Sequence, residues 1–165
     1  MGVRTAISIE EYLHTSYDGT DREFRDGEVV ERSMPDYPHG KCQARLSAFF
    51  LGCPQALRLY PCSETRMRLT NKRVLIPDVA VFHQTEPGDL PDSPPLIAIE
   101  VLSPDDRPRE VENKLREYRA WGVPHVWLVD PHSRRLYAYE EKLTEVFFLS
   151  VPELEIEITP ADIFG

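Results

Sequence analysis

The sequence predicts an α/β (α+β) fold, in which a mixed β-sheet is flanked by helices. Two segments, 42–53 and 109–121, carry apolar residues at helical spacing. Two nearly continuous apolar runs, Val74–Phe82 and Leu96–Leu102, have the composition of strands that are covered on both faces. The 15 prolines fall mostly between the periodic segments, where they separate elements. A chain of 165 residues fits a single domain, 1–165.

The N-terminal third predicts a short helix, a hairpin and a longer helix. Ser8–Glu11 has the residues of a capping box, so a helix should begin there. Arg22–Arg32 predicts an N-terminal β-hairpin, because Asp26-Gly27 suits a type I′ turn. After Pro38, the apolar stripe of residues 42–53 predicts the longer helix.

The rest of the chain predicts strands, one further helix and a β-rich C-terminal tail. The predicted strands are Glu64–Thr70, Val74–Phe82, Leu96–Leu102, Val126–Val129, Leu136–Tyr139, Val146–Leu149 and Leu154–Ile158. The helix Arg109–Trp121 should end at Gly122, with Pro124 just beyond it. The proline-rich segment 86–95 predicts a loop.

The formal charge of −9 argues against broad coating of nucleic acid, since phosphate binding usually needs a basic surface. The charge is uneven, however. The segment 136–165 holds seven acids and one base, whereas 58–73 holds five bases and one acid. We therefore expect any DNA contact on a local basic track, which consists of Arg66, Arg68, Lys72 and Arg73.

Composition also favours a cytoplasmic protein with no membrane partner. No apolar run approaches the ~18 residues that cross a bilayer, and the first residues lack the apolar stretch of a secretory signal. The chain has three cysteines, Cys42, Cys53 and Cys62, which is an odd number, and their spacing is not that of metal ligands. We therefore expect reduced thiols and no disulfide.

Two acids, Asp78 and Glu100, interrupt the two apolar runs. Carboxylates are rarely buried unless they are paired or bind a cation. A hard cation with oxygen ligands, such as Mg²⁺ or Mn²⁺, would resolve the repulsion between two neighbouring carboxylates.

Lys114 is a third candidate, because helical periodicity places it at the edge of the apolar stripe of the 109–121 helix. The chain contains only four lysines, so a lysine falls at this position by chance less often than it would in a lysine-rich protein. The competing interpretation is that its stem covers the core while its ammonium stays in water.

These residues resemble a known family. Pro77-Asp78 followed by Glu100-Val101-Leu102 is similar to the PD-(D/E)XK nuclease superfamily. The segments Glu100–Arg107, Lys114–Tyr118 and Gly122–Pro131 resemble the Uma family of proposed restriction endonucleases, and the resemblance extends over about Ser8–Tyr139.

The resemblance implies a restriction-endonuclease-like core and Mg²⁺-dependent hydrolysis of DNA phosphodiester bonds. Asp78, Glu100 and the backbone carbonyl of Val101 would hold the ion. Leu102 stands where the superfamily has its lysine, and Lys114 would replace it, either orienting or deprotonating the attacking water.

Several other residues are left with open roles. Glu28 is either a solvated strand residue, which we favour, or a further acid of the site. Glu64 is expected on an exposed strand face, with an outer metal ligand as the alternative. His39 is either a helix N-terminal residue with a structural role, which we favour, or a phosphate contact. Ser103, Asp106 and Arg107 either shape the site or cap a helix.

Three function hypotheses therefore follow. The leading one is a metal-dependent DNA endonuclease, with which a homodimer would be compatible. The second is a non-catalytic binding module with a nuclease fold, which the net charge and Leu102 favour. The third is a small-molecule enzyme with an Asp/Glu pair, although the chain has no glycine-rich phosphate loop.

Overall fold

The computed structural model describes residues 6–19 and 21–165. Its helices are α1 (Ile9–His14), α2 (Tyr37–Leu51), α3 (Pro108–Trp121) and α4 (Pro160–Phe164). Its strands are β1 (Arg22–Arg25), β2 (Glu28–Glu31), β3 (Leu59–Ser63), β4 (Met67–Thr70), β5 (Arg73–Leu75), β6 (Val79–His83), β7 (Ile97–Val101), β8 (His125–Asp130), β9 (Arg135–Tyr139), β10 (Leu143–Val146), β11 (Leu149–Val151) and β12 (Ile156–Ile158).

The strands form a six-stranded sheet, a four-stranded sheet and a small ribbon. The six-stranded sheet has the order β10-β9-β8-β7-β6-β3, and the four-stranded sheet has the order β2-β1-β5-β4. In the six-stranded sheet only β7 and β8 are parallel, and α3 connects them, as a parallel pair requires a crossover. β11 pairs with β12.

Helices cover both faces of the six-stranded sheet. Ile97, Ile99 and Val101 of β7 pack in one core cluster with residues of α2, whereas Ala98 packs in a second cluster with residues of α3. Because side chains alternate along a strand, Glu100 shares the face of Ala98 and points towards α3. The mixed sheet with flanking helices confirms the predicted fold class.

Several local predictions are confirmed. The Ser8 side chain accepts a hydrogen bond from the Glu11 backbone N–H and begins α1. The hairpin turns at Asp26 and Gly27, both with positive φ, as a type I′ turn requires. α3 ends at Gly122, which has φ 112°. The predicted helix after Pro38 is α2, which Asp36 caps.

The prediction of one strand over Val74–Phe82 is wrong, because the run is divided between β5 and β6, which belong to different sheets. The division falls at Ile76-Pro77-Asp78. Pro77 has no N–H for a ladder, and both backbone groups of Ile76 bind side chains instead of a neighbouring strand. Asp78 therefore lies in a bend directly before β6 and not within a strand.

The predicted strand Glu64–Thr70 is also shorter than expected, and the strand before it went unpredicted. Only Met67–Thr70 is extended, since Glu64 adopts φ 49° and ends β3. β3 contains Pro61, which a sheet tolerates at an edge, and β3 is the edge strand of its sheet.

In the C-terminal tail, the predicted strand Val146–Leu149 is wrong. Phe147 and Phe148 form a bend between β10 and β11, and Phe147 is 91% exposed, so its apolar character does not reflect burial. The predicted strand Leu154–Ile158 is only Ile156–Ile158, because Glu155 adopts φ 54° after a 3₁₀ turn.

Helix α4 was not predicted, although its first turn has a sequence signature. Thr159 and Asp162 form a reciprocal capping box.

The three cysteines are free, which confirms the prediction that no disulfide forms. Within residues 6–19 and 21–165, no helix is long and apolar enough to cross a membrane. The single-domain organisation stays a prediction.

We expect Gly122→Ala to destabilise the protein by about 1 kcal/mol, because a Cβ is strained in the left-handed region. The added Cβ would also lie 3.4 Å from Pro94 Cγ. Urea denaturation measures the change. Gly88→Ala is the control, since a Cβ there meets nothing within 4 Å. Equal effects of the two substitutions would contradict this role of Gly122.

Candidate active site

The three residues singled out from the sequence line one cleft. Asp78, Glu100 and Lys114 are all buried, and they contribute to a cavity of about 300 Å³ between the hairpin, β7 and α3. The antiparallel register pairs Val79 with Ile99, so Asp78 and Glu100 lie beside one another at the ends of neighbouring strands. The structure therefore brings the predicted residues together.

Asp78 is held by contacts on both of its carboxylate oxygens. Its Oδ2 accepts a 2.7 Å hydrogen bond from the backbone N–H of Val101. Its Oδ1 accepts a 2.7 Å hydrogen bond from Arg32 Nη2 and lies 3.3 Å from His39 Nε2. The Gln43 side chain donates to the Asp78 backbone carbonyl, which fixes the bend itself.

Glu100 points towards α3, as the alternation along β7 requires. Its Oε1 accepts a 2.8 Å hydrogen bond from the Tyr118 hydroxyl and lies 2.9 Å from Lys114 Nζ. In the described part of the chain, no hydrogen-bond donor reaches Oε2. The contacts with Tyr118 and Lys114 both anchor the same oxygen of Glu100, Oε1.

Lys114 has three acceptors around its ammonium. Nζ lies 2.6 Å from Glu23 Oε1, 2.9 Å from Glu100 Oε1 and 2.8 Å from the Ile76 carbonyl oxygen. An ammonium has three N–H donors, so these contacts use all of them. The competing interpretation, in which the ammonium stays in water, is wrong, because the residue is only 8% exposed.

Glu23, which the sequence analysis did not single out, completes this arrangement. Its Oε1 also accepts a 2.9 Å hydrogen bond from the Ile76 N–H, and its Oε2 lies 3.0 Å from Arg25 Nη2. Glu23 and Lys114 therefore hold Ile76 by its N–H and its carbonyl, two residues before Asp78. They position the bend that carries the catalytic candidate.

The carboxylates of the cleft differ in their affinity for protons. Burial, with the nearby charges of Asp78 and Glu23, raises the pKa of Glu100 to about 7, although Lys114 opposes the shift. Burial would also raise the pKa of Glu23, but the charge and hydrogen bond of Lys114 hold it below its ordinary value. Two carboxylates share one ammonium here, and the closer one stays ionised.

The pKa of Asp78 is likewise lowered. Burial acts against this shift, but the hydrogen bond and charge of His39, together with Arg32 and Lys114, outweigh it. The pKa of Lys114 is raised, because Glu100 and Glu23 outweigh its burial. Asp78 and Lys114 are thus both charged at neutral pH.

His39 lines the cleft, close to Asp78. It is 4% exposed, and its Nδ1 is 3.0 Å from the Ser103 hydroxyl while Nε2 faces Asp78. Asp106 accepts a hydrogen bond from the Ser103 N–H, which orders the turn after β7. Arg107 is exposed at the start of α3 and pairs with Glu110.

The other two acidic candidates lie farther from the carboxylate pair. Glu28 is exposed on β2, as expected. Glu64 lies beside Arg32, with 3.8 Å between its Oε1 and Arg32 Nη1, and it borders a neighbouring depression. Glu64 is exposed, as expected, but it lies in the turn after β3 and not on a strand.

The basic track lies on and around β4 and β5 of the four-stranded sheet, and none of its four residues lines the cleft. Arg66 donates to the Leu13 carbonyl, and Arg68 donates to the Asn71 side chain. Arg73 pairs with Asp26 and Glu117. Lys72 is exposed in the turn between β4 and β5.

The residues of the cleft fit a hard divalent cation with few protein ligands. Among the described residues, no three His, Cys, Asp or Glu side chains are grouped to hold a metal by themselves. Mg²⁺ often uses only one or two carboxylates and keeps several waters. Asp78 and Glu100 supply two such groups, and Glu100 Oε2 has no donor from the described chain.

Comparison with solved structures relates this architecture to a known protein. A crystal structure of "a putative nuclease belonging to DUF820 from Anabaena variabilis ATCC 29413" superimposes with a TM-score of 0.83 and 21% sequence identity. The alignment covers 96% of this chain and 97% of the other. No curated protein matches the chain.

The sheet order, the helices on both faces and the match in fold define the class: an α/β (α+β) protein that shares the fold of that structure. Within that class, the chain belongs to the Uma2 family, described as "Putative restriction endonuclease", whose model matches residues 9–162. Membership of this family confirms the resemblance seen in the sequence and supports a nuclease.

We expect Glu23→Gln to lower the free energy of unfolding by about 2 kcal/mol. Breaking a buried ion pair costs roughly 3–5 kcal/mol, and Lys114 keeps Glu100 as a second partner. Urea denaturation measures the loss. Glu112→Gln is the control, because Glu112 forms only an exposed pair with Arg116, worth less than about 0.5 kcal/mol. A change no larger than the control would show that Glu23 does not hold the bend.

Proposed function

We propose that the protein is a metal-dependent endonuclease that hydrolyses phosphodiester bonds of DNA. The observation that carries this proposal is the meeting of Asp78, Glu100 and Lys114 in one buried cleft. The family's description as restriction endonucleases supports DNA as the substrate class.

Asp78, Glu100 and the backbone carbonyl of Val101 are the proposed ligands of Mg²⁺ or Mn²⁺. When bound, such an ion would activate a water molecule and neutralise negative charge on the phosphate. The chain prepares its two carboxylates by anchoring one oxygen of each, Asp78 Oδ2 on the Val101 N–H and Glu100 Oε1 on the Tyr118 hydroxyl.

Lys114 is proposed to act by its charge and not as a base. Its three N–H groups already have acceptors, and two of these are carboxylates, so the ammonium form is strongly favoured. With its donors in use, a fixed ammonium at Glu100 would act through its charge and stabilise negative charge that develops on the phosphate. The alternative in which Lys114 deprotonates the water is disfavoured by the same contacts.

The charge of the cleft explains why a cation would be needed. Its acidic lining residues are Glu23, Glu31, Asp78, Glu100, Asp106 and Glu110. Its arginine and lysine lining residues are Arg25, Arg32 and Lys114. A phosphodiester is itself anionic, so an excess of carboxylates would repel it unless a bound cation reversed the local charge.

The finer aspects of the assignment also belong to the proposal. We place the protein in the cytoplasm, consistent with its three free thiols. Arg66, Arg68, Lys72 and Arg73 are the proposed DNA contacts outside the cleft. A homodimer would allow cleavage of both strands.

One observation favours the second hypothesis, a non-catalytic binding module. Each carboxylate of the pair has a cationic partner in the protein, Arg32 for Asp78 and Lys114 for Glu100. The cleft could therefore be stable without a metal. Cleavage of an oligonucleotide, compared with hydrolysis of a small phosphoester, separates the nuclease from both this module and a small-molecule enzyme.

We expect Asp78→Asn and Lys114→Met to affect metal binding and cleavage differently. Asp78→Asn should abolish the calorimetric signal of Mn²⁺ binding, because a proposed ligand is lost. Lys114→Met should keep Mn²⁺ binding but lower plasmid cleavage by about a hundredfold, as loss of a transition-state electrostatic partner does.

Lys114→Arg should restore little cleavage, since a planar guanidinium cannot fill the same compact volume. Chelation with EDTA should stop cleavage by the wild type. The proposed metal site would be refuted by an unchanged Mn²⁺ isotherm for Asp78→Asn, and the proposed role of Lys114 by less than a twofold loss of cleavage.

The basic track gives a separate prediction for DNA affinity. Reversing Arg66 and Arg68 together to Glu should abolish oligonucleotide binding, measured by fluorescence anisotropy. Few phosphates can be neutralised by so short a track. A plot of the logarithm of the wild-type binding constant against the logarithm of the salt concentration should therefore have a slope of only a few. Arg134→Glu with Arg135→Glu is the control, since it makes the same change of charge beside the acidic tail. Equal losses in both double variants would exclude a specific track.

A further inference from the structure

Arg32 is half-buried and lines the cleft, although no motif marked it. It follows β2 directly, its side chain is 15% exposed, and its Nη2 lies 2.7 Å from Asp78 Oδ1. The guanidinium also borders a second depression of about 460 Å³, whose lining includes Gly19, Asp21 and Glu64. Arg32 thus lies between the carboxylate pair and a surface that opens to solvent.

The other two basic side chains that line the cleft are already committed within the fold. Lys114 uses its three N–H donors on Glu23, Glu100 and Ile76. Arg25 lies 3.0 Å from Glu23 and 3.9 Å from Glu117, and these contacts join the hairpin to α3. Arg32 also has contacts within the fold, including Glu64 at 3.8 Å, but its 2.7 Å ion pair is with Asp78, a residue that the proposed function assigns to the metal.

A divalent cation and a guanidinium cannot share Asp78 without repulsion. Both would approach the same buried carboxylate, where charges are screened less than they are in water. Binding of the ion should therefore weaken the Arg32–Asp78 pair. A guanidinium released beside the cleft presents planar, paired N–H donors, which match the oxygens of a phosphate group.

We infer that Arg32 is a phosphate-binding residue of the nuclease site, paired with Asp78 until a divalent cation takes its place there. This inference rests on the proposed function and adds an order of events to it. In the metal-free protein Arg32 neutralises Asp78, and the arrival of the ion releases the guanidinium to bind the DNA backbone.

The experiment measures two affinities that should change in opposite directions. In calorimetry on the full chain, Arg32→Gln should bind Mn²⁺ about tenfold more tightly, because it removes a positive charge from a proposed ligand. With saturating Mn²⁺, the same variant should bind a hydrolysis-resistant phosphorothioate duplex about tenfold more weakly, because a charged hydrogen bond to phosphate is lost.

Arg25→Gln is the matched control, since it removes the same charge from the same cleft but not from Asp78. It should change Mn²⁺ affinity less than threefold. Arg32→Lys, which keeps the charge, should leave Mn²⁺ affinity near that of the wild type and covers the case in which Arg32→Gln fails to fold.

Tighter Mn²⁺ binding with weaker duplex binding in Arg32→Gln supports the inference. A merely structural arginine would weaken both affinities, and that result would overturn it, as would equal Mn²⁺ affinities in Arg32→Gln and Arg25→Gln. If the wild type binds Mn²⁺ but Arg32→Gln changes neither affinity, only this inference fails. If the wild type binds no Mn²⁺, the proposed function fails and this inference fails with it.

Discussion

One ammonium group joins the two main sheets of the protein. Lys114 on α3 reaches Glu23 in the four-stranded sheet, Glu100 in the six-stranded sheet and the carbonyl of Ile76 in the bend between them. A buried charge needs all of its hydrogen-bonding capacity satisfied, so these acceptors must stay in place together. The geometry of the cleft follows from this requirement.

The break between β5 and β6 shows how the constraint acts on the backbone. Pro77 cannot donate to a strand ladder, and the N–H and carbonyl of Ile76 are bound by the side chains of Glu23 and Lys114. The chain can therefore leave one sheet and enter the other without unpaired polar groups at Ile76. Asp78 comes directly after this change of direction, where its side chain can meet β7.

The principal acids of the site can be recognised from the sequence, whereas their partners cannot. Asp78 and Glu100 stand out because each is a charge among apolar neighbours, and helical periodicity together with the family resemblance identified Lys114. Glu23 and Arg32 lie in a hairpin where alternating charges are ordinary for an exposed strand, so local pattern gives no reason to choose them. Their roles arise from contacts with residues 53 and 46 positions away along the chain.

Lys114 contacts more carboxyl groups than a structural ion pair requires. Lys114 needs only one carboxylate for neutrality, yet Glu23 and Glu100 both contact it. Buried ion pairs are weak sources of stability, so a second carboxylate is not explained by folding alone. Tyr118 anchors the second carboxylate by Oε1, and the described residues supply no donor to Oε2. The second carboxyl group is therefore the feature that the proposed metal site would use and that a purely structural cluster does not require.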